Sequence, residues 1–455
     1  MPSLSAYVHR SASAKAATIA ILILVLLIPI GMIKGVIDDR RAIGLEAQRD
    51  IMRSWGGEQL VAGPILVMPY TATYRRKDGS TREVNKRAYV LPEKLYIDTE
   101  VRPEIRYRGL HKVPVYSARV HMSGRLGTVD PRLLGLDPGQ VNWDKAYIAL
   151  VVSDARAITT TPEISLGQQS IRFQAGGRQI DGLPVQIVAP VRGLDNTETD
   201  AALLDFELVL TLKGTNSLKF LPLGDTTSVS MTSTWPSPSF FGNYLPESRV
   251  VEEDGFSADW QVSSLGRAIP SRWIGDDVNE GVAMESAFGV SLFLPIGLYQ
   301  LTTRAAKYAV LFVAMTFVAY FLFEIIVGLS LHPLQYLLVG LANTMFFLLL
   351  LSLAEHIGFA WAYLASAVAS SALITAYSIA VLGQRTRAFI MTTVLGVLYG
   401  FLYLTLNAES YAMLAGSAAL WITLAIVMYL TRHVDWHGHG GSATDSTSGQ
   451  AGEKV

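Results

Sequence analysis

Five polar side chains interrupt a long apolar C-terminal stretch: Glu324, His332, Asn343, Glu355 and His356. Carboxylates and imidazoles in apolar surroundings can pass a proton or hold a cation, and their burial is costly enough that function is the default expectation. Spacing limits what they can do together. His332 and Glu355 are about 23 residues apart, roughly 35 Å along a helix. Glu324 with His332, and Glu355 with His356, therefore belong to opposite ends of an apolar layer and cannot form one site. Each pair also fits two blander readings, a side chain reaching interfacial water or a buried structural pair. Asn343, beside Thr344, is the deepest hydrogen-bonding side chain, and no charged residue falls mid-span. Proton-coupled pumps use a carboxylate or histidine at the midplane, so this pattern speaks against a pump and leaves a passive or lipid-handling route open.

Other reactive groupings are sparse. His433, His437 and His439 form a small cluster, but they enter a Gly/Ser/Thr-rich tail of disordered composition, Gly440–Gly452. Arg102, Arg106 and Arg108 share one strand face, which suits an anionic partner or simply a solvated surface. The chain has no cysteine, which removes disulfides, zinc–thiolate sites and thiol nucleophiles. It has no H-E-x-x-H, Walker loop, G-x-S-x-G, EF-hand loop or G-x-G-x-x-G. The expectation is no enzyme, no cofactor and no metal. A net charge of −1 gives no basic excess for nucleic acid.

The elements that must position these groups are legible in the charge distribution. Only 16% of the 455 residues are charged, and Ala305–Leu430 is almost free of charge whereas Asp38–Arg304 reads as an ordinary water-facing domain. The first apolar run, 16–33, is about 18 residues long, near the minimum for a bilayer core of about 30 Å. Its exit, Gly31-Met32-Ile33-Lys34, lacks the small-residue pattern of a cleaved signal peptide, so it reads as a retained signal anchor. Five further spans are predicted at 307–329, 334–353, 358–382, 389–406 and 411–430. Their short links make antiparallel hairpins in a compact bundle, the architecture that satisfies backbone groups in lipid. Arg385, Arg387 and Arg432 fall on the same side as Arg10 and Lys15, which places both termini in the cytoplasm. Arg304 and Lys307 pull the other way but flank a long translocated domain. Small residues, Gly396-Val-Leu-Tyr-Gly400 and Ala365, Ala369 and Ala372, suit close helix packing.

Between the first and second spans the period changes. Residues 38–55 continue the first helix as a stalk, ended by Gly56-Gly57. Thereafter Leu95, Ile97, Thr99, Val101, Ile105 and Tyr107 alternate with Asp98, Glu100, Arg102, Glu104, Arg106 and Arg108, and similar alternation recurs at 116–122, 206–212 and 256–262. Turn signals separate the runs at Asp78-Gly79, Asp137-Pro138-Gly139, Gly176-Gly177 and Leu223-Gly224-Asp225. The predicted fold class is an α+β membrane protein: an N-terminal signal-anchor helix, a large antiparallel β-rich, sandwich-like periplasmic domain over 34–305, a five-helix transmembrane bundle over 306–430 and a disordered cytoplasmic tail over 431–455. One sandwich or two stacked β subdomains both fit.

Four stretches carry a family resemblance: Val61-Ala-Gly-Pro-Ile-Leu-Val-Met-Pro-Tyr70, Tyr107-Arg-Gly-Leu-His-Lys-Val-Pro-Val-Tyr116, Trp235-Pro-Ser-Pro-Ser-Phe-Phe-Gly242, and Phe288–Pro295 running into Tyr299–Tyr308. Leu331–Tyr336 and Ala354–Gly358 extend it into the bundle. In these the chain resembles the CreD family of bacterial inner-membrane cell envelope integrity proteins. The resemblance implies an inner-membrane protein of a Gram-negative cell with a periplasmic domain. In some members the gene answers to a two-component system and the protein affects envelope integrity and colicin tolerance; it implies no reaction and no catalytic residues. Three functions follow: a non-enzymatic envelope protein whose β domain is an interaction or sensing module, a transporter or lipid-handling protein working through the bundle, or a membrane enzyme near Glu355-His356. The expected partners are membrane lipid and envelope proteins or periplasmic ligands, not nucleic acid; oligomeric state is left open.

Overall fold

The computed structural model describes residues 12–75, 78, 80–127, 129–176, 186–194, 204–267, 269–275, 280–292, 298–327, 331–408 and 412–432. The chain divides into two units, one made of Met1–Ile43 with Ile296–Val455 and the other of Gly44–Pro295.

The helical unit follows from apolar length. Helix α1, Ala12–Trp55, is continuous for 44 residues through Pro29. Its buried residues Leu26, Ile30, Ile33 and Ile37 recur at helical spacing and join the bundle core. After the short α2, Glu280–Glu285, come α3 (Leu298–Val327), α4 (Pro333–Ile357), α5 (Phe359–Leu382), α6 (Arg385–Asn407) and α7 (Ala412–Thr431). Gly358 alone links α4 to α5, and Gly383, in the left-handed region at φ 67°, ends α5. Among the described residues, five helices, α1 and α3–α6, are long and apolar enough to cross a membrane. The sixth predicted span forms α7, whose apolar stretch Leu414–Leu430 is shorter than the other five.

The β-rich unit holds two sheets over one contiguous apolar core. The sandwich therefore forms a single body, and the alternative of two stacked subdomains is not what the core shows. The eight-stranded sheet runs in space Ser248–Glu252, Gly255–Ser263, Thr226–Ser233, Pro92–Arg108, His111–Leu126, Leu204–Thr215, Glu163–Leu166, Gln169–Arg172. The nine-stranded sheet is centred on Gln59–Arg75, which pairs with Ser217–Phe220, Thr81–Val90 and Tyr147–Val152. That strand buries Leu60–Met68 without alternation, as a strand covered on both faces must. Most pairings are antiparallel; Gln59–Val61 with Leu218–Phe220 and Lys94–Val101 with Thr226–Ser233 are parallel.

Alternation along Pro92–Arg108 holds only part of the way. Leu95, Ile97, Thr99 and Val101 are buried, yet Ile105 and Tyr107 are exposed. The reason is register. The neighbouring strand Thr226–Ser233 stops pairing at Val101, while pairing with His111–Leu126 continues to Arg108. Beyond Val101 that side of the hairpin therefore has no flanking strand.

Candidate functional site

The five sequence-selected residues fall in three separate places in the helical unit. Glu324, near the end of α3, is buried, with 3% of its side chain exposed. Its Oε1 accepts from Lys15 Nζ on α1 and from the Leu331 amide at 3.1 Å, and its Oε2 accepts from the Tyr336 hydroxyl on α4 at 2.7 Å. Three donors from three parts of the chain thus hold one carboxylate, the arrangement that a buried charge requires. The cavity beside it is about 20 Å³, room for about one water. His332 works differently. It caps α4, its Nδ1 accepting from the Leu334 amide at 3.2 Å while Gln335 accepts from the His332 amide at 2.9 Å.

Glu355 lies at the other end of α4 and faces Arg40 of α1 at 3.9 Å, with 9% of its side chain exposed. The neighbouring His356 is on the outside, its Nδ1 at 3.0 Å from the Ser352 carbonyl oxygen. Two ion pairs therefore tie α1 to the bundle. Lys15 and Arg40 are about 25 residues apart, about 38 Å of helix, close to the thickness of a bilayer with its headgroups. Between them α1 and α4 touch at Gly340, where an added Cβ would lie 2.3 Å from Leu26 Cδ1 and 2.7 Å from Phe317. A side chain at 340 would have to push aside Leu26 and Phe317.

Asn343 occupies the bundle interior, fully buried, its Oδ1 accepting from the Tyr399 hydroxyl at 3.4 Å. Tyr399 is wedged between Phe312 and Phe346, with ring centroids at 4.6 and 4.8 Å, and its carbonyl accepts from the Tyr363 hydroxyl at 2.6 Å. Tyr320 and Ser378 make a further buried pair at 2.7 Å. This interior is packed with aromatic rings, and the polar groups of the bundle do not converge on one chamber. The roomier space is a groove of about 1060 Å³ between α5 and α6, lined by Ala367, Ala372, Thr375, Gly396, Gly400 and Tyr403 among others. Gly396 and Gly400 face this open space, with nothing within 4 Å of an added Cβ at either. Among the described glycines of this unit, a close helix contact is made at Gly340, which lacks a G-x-x-x-G partner in sequence.

In the β-rich unit, the outward face of the eight-stranded sheet carries a polar trough. Two depressions, of about 500 and 370 Å³, share Tyr96 and Ser123. Ser123, Ser228 and Ser230 are short side chains between taller ones: Lys94, Arg125, Asp205 and Glu207 on one side, Asp98, His121, Glu247 and Asp259 on the other. Tyr96 stands in the middle, half exposed. Arg125 pairs with Asp205 at 2.7 Å and His121 with Glu207 at 2.8 Å. The Arg125 guanidinium holds Asp205 below the usual carboxylate range. Arg102, a candidate for an anionic partner, pairs with Glu100 at 2.7 Å, and Arg106 with Glu104 at 3.0 Å.

Sequence reading missed Arg267. Its side chain is 1% exposed and gathers the 222–225 turn. Nη2 donates to Asp225 Oδ1 and Ser271 Oγ, each at 2.8 Å, Nε donates to the Ile269 carbonyl at 2.9 Å, and Nη1 donates to the carbonyls of Leu223 and Gly224. Burial pulls its pKa below the ordinary arginine value, with Asp225 opposing. A lone arginine in a loop carries no pattern that would reveal this. His433, His437 and His439 lie outside the described residues.

Comparison with known proteins agrees with this architecture. The family model described as inner membrane protein CreD matches residues 11–437. The inner membrane protein CreD of Escherichia coli (strain K12) is 34% identical over 420 residues, covering 91% of each chain. With five helices long and apolar enough for a multi-pass protein joined to a two-sheet unit, the chain belongs to the CreD family of inner membrane proteins.

Proposed function

We propose that this protein is a non-enzymatic support of the cell envelope, in which the β-rich unit is exported to the periplasm as an interaction or sensing module and the helical unit anchors it. The observation that carries the reading is the trough around Tyr96. It is a broad, shallow, solvated face with short serines between charged rims, suited to contact with a polar envelope component and built on a rigid sheet. The bundle residues support an anchoring role. Glu324 and Glu355 are each engaged by a cation of α1, so the groups best suited to a transport path serve instead to hold the first helix in place.

The test is site-specific photocrosslinking in cells with a photoreactive residue at Tyr96 or His121, and at Leu265 as the exposed reference. Capture of a defined envelope component from the first two positions and not from Leu265 is expected. Equal or absent capture at all three would remove the reading. Retained envelope phenotype in Glu324→Gln and Glu355→Gln at normal protein level is expected as well; its loss would favour the bundle as the working part.

A further inference from the structure

Strand register gathers the floor of the Tyr96 trough into one row. Across adjacent strands of the eight-stranded sheet, Gln261 pairs with Ser228, Ser228 with Tyr96, Tyr96 with Ser123, Ser123 with Glu207 and Glu207 with Ser165. Residues in register on neighbouring strands project from the same face. That face is the open one, since the sequence neighbours Ile97, Met122, Val229 and Trp260 are buried on the other. All of the row lines the two depressions. Five strand spacings of about 4.8 Å make it about 24 Å long, and it runs across the strands rather than along them.

The chemistry of the row is that of a hydroxyl-bearing, uncharged partner. Gln261, Ser228, Tyr96, Ser123 and Ser165 carry hydroxyls or an amide, which both donate and accept. Glu207 is paired with His121 at 2.8 Å, and Arg125 alongside is paired with Asp205 at 2.7 Å. The other rim is acidic, with Asp98, Glu247 and Asp259. Those carboxylates disfavour a phosphate- or sulfate-bearing chain. An extended peptide adding to a sheet needs a free backbone edge, and the ladders between these strands are already paired. At the centre Tyr96, 49% exposed, stands between two short serines. A ring so placed offers a rigid apolar surface with hydrogen-bonding groups on either side, at small cost in side-chain entropy. The complement is a chain of rings with apolar faces and hydroxyls at their edges.

We propose that the trough binds a neutral carbohydrate chain laid across the strands, with one sugar ring stacked on Tyr96 and its neighbours hydrogen-bonded by Gln261, Ser228, Ser123 and Ser165. Asp98 and Asp259 accept from further hydroxyls along the rim. This rests on the trough being the contact face of the β-rich unit and names the chemical class of what it meets.

The full chain in nanodiscs would be mixed with a β-linked N-acetylglucosamine tetramer, maltotetraose, spermine or dextran sulfate. Saturation-transfer difference NMR, with empty nanodiscs as the blank, reads the binding. At least one of the two neutral tetramers should bind, and about tenfold or more tightly than its own monosaccharide, because several subsites act together. Tyr96→Ala should weaken binding about tenfold and Tyr96→Phe should keep it, since the ring carries the contact. Ser123→Lys raises the floor and should abolish binding, with an unchanged thermal midpoint showing that the variant is folded. Leu265→Ala, at a 96% exposed position outside the trough, should bind as the parent does. Preference for spermine or dextran sulfate over both tetramers, equal affinity for tetramer and monosaccharide, or full binding by Ser123→Lys would overturn the proposal. Absence of carbohydrate binding, with a protein still photocrosslinked from Tyr96, would overturn it and leave the contact-face reading standing. Absence of both would remove both.

Discussion

Glu324 shows how a buried carboxylate is made tolerable. Its partners are a lysine, a tyrosine and a backbone amide, so the charge is neutralised and the lone pairs are used. Glu324→Leu leaves the Tyr336 hydroxyl and the Leu331 amide without their acceptor, and should lower stability by about 1–3 kcal/mol. Lys15, 21% exposed, can turn toward the interface and limits the loss. Glu324→Gln keeps an acceptor and should lose less, and Lys15→Met with Glu324→Leu together should recover part of the deficit. Thermal unfolding of the detergent-solubilised chain reads all three. Arg267 is the counterpart in the β-rich unit. Arg267→Met strips donors from several buried carbonyls and should cost about 3–5 kcal/mol, seen as a lower thermal midpoint. The presence of Glu324 and Glu355 was plain from charge in an apolar run. Their partners were not, because Lys15 and Arg40 lie some 300 residues away in sequence.

Helices and strands differ in how much of them can be read from pattern. The long apolar runs and the alternating stretch at 95–101 have one dominant cause, the solvent on each face, and that cause is local. Ile105 and Tyr107 keep the same alternation yet lie outside the core, because their burial depends on where a distant strand stops. The helix contact at Gly340 is of the same kind. The G-x-x-x-G spacing drew attention to Gly396 and Gly400, which face an open groove, whereas the contact is made where Leu26 meets α4. Gly340→Leu should displace α1 and lower stability by about 1–3 kcal/mol, the range for overpacking. Gly340→Ala should do the same to a smaller degree. Spin labels on α1 and α4 should separate in the first variant and move less in the second.

Taken whole, the molecule joins a helical unit to a two-sheet unit, and its proposed orientation puts 44–295 outside the cytoplasm. Protease added to intact spheroplasts should then cut within that region and leave the termini protected; a spared central region would reverse the orientation. The chain alone determined that there are long apolar helices, a β-rich insertion between the first and second of them, and a first helix that continues past its apolar run. These rest on hydrophobic period and length, which need no knowledge of neighbours. Tertiary structure alone decided that Glu324 and Glu355 hold α1 at Lys15 and Arg40, that serines from separate strands gather around Tyr96, and that Arg108 meets Asp50. Each of these joins residues brought together by strand register or helix packing, and no local pattern encodes which distant partner a side chain will meet.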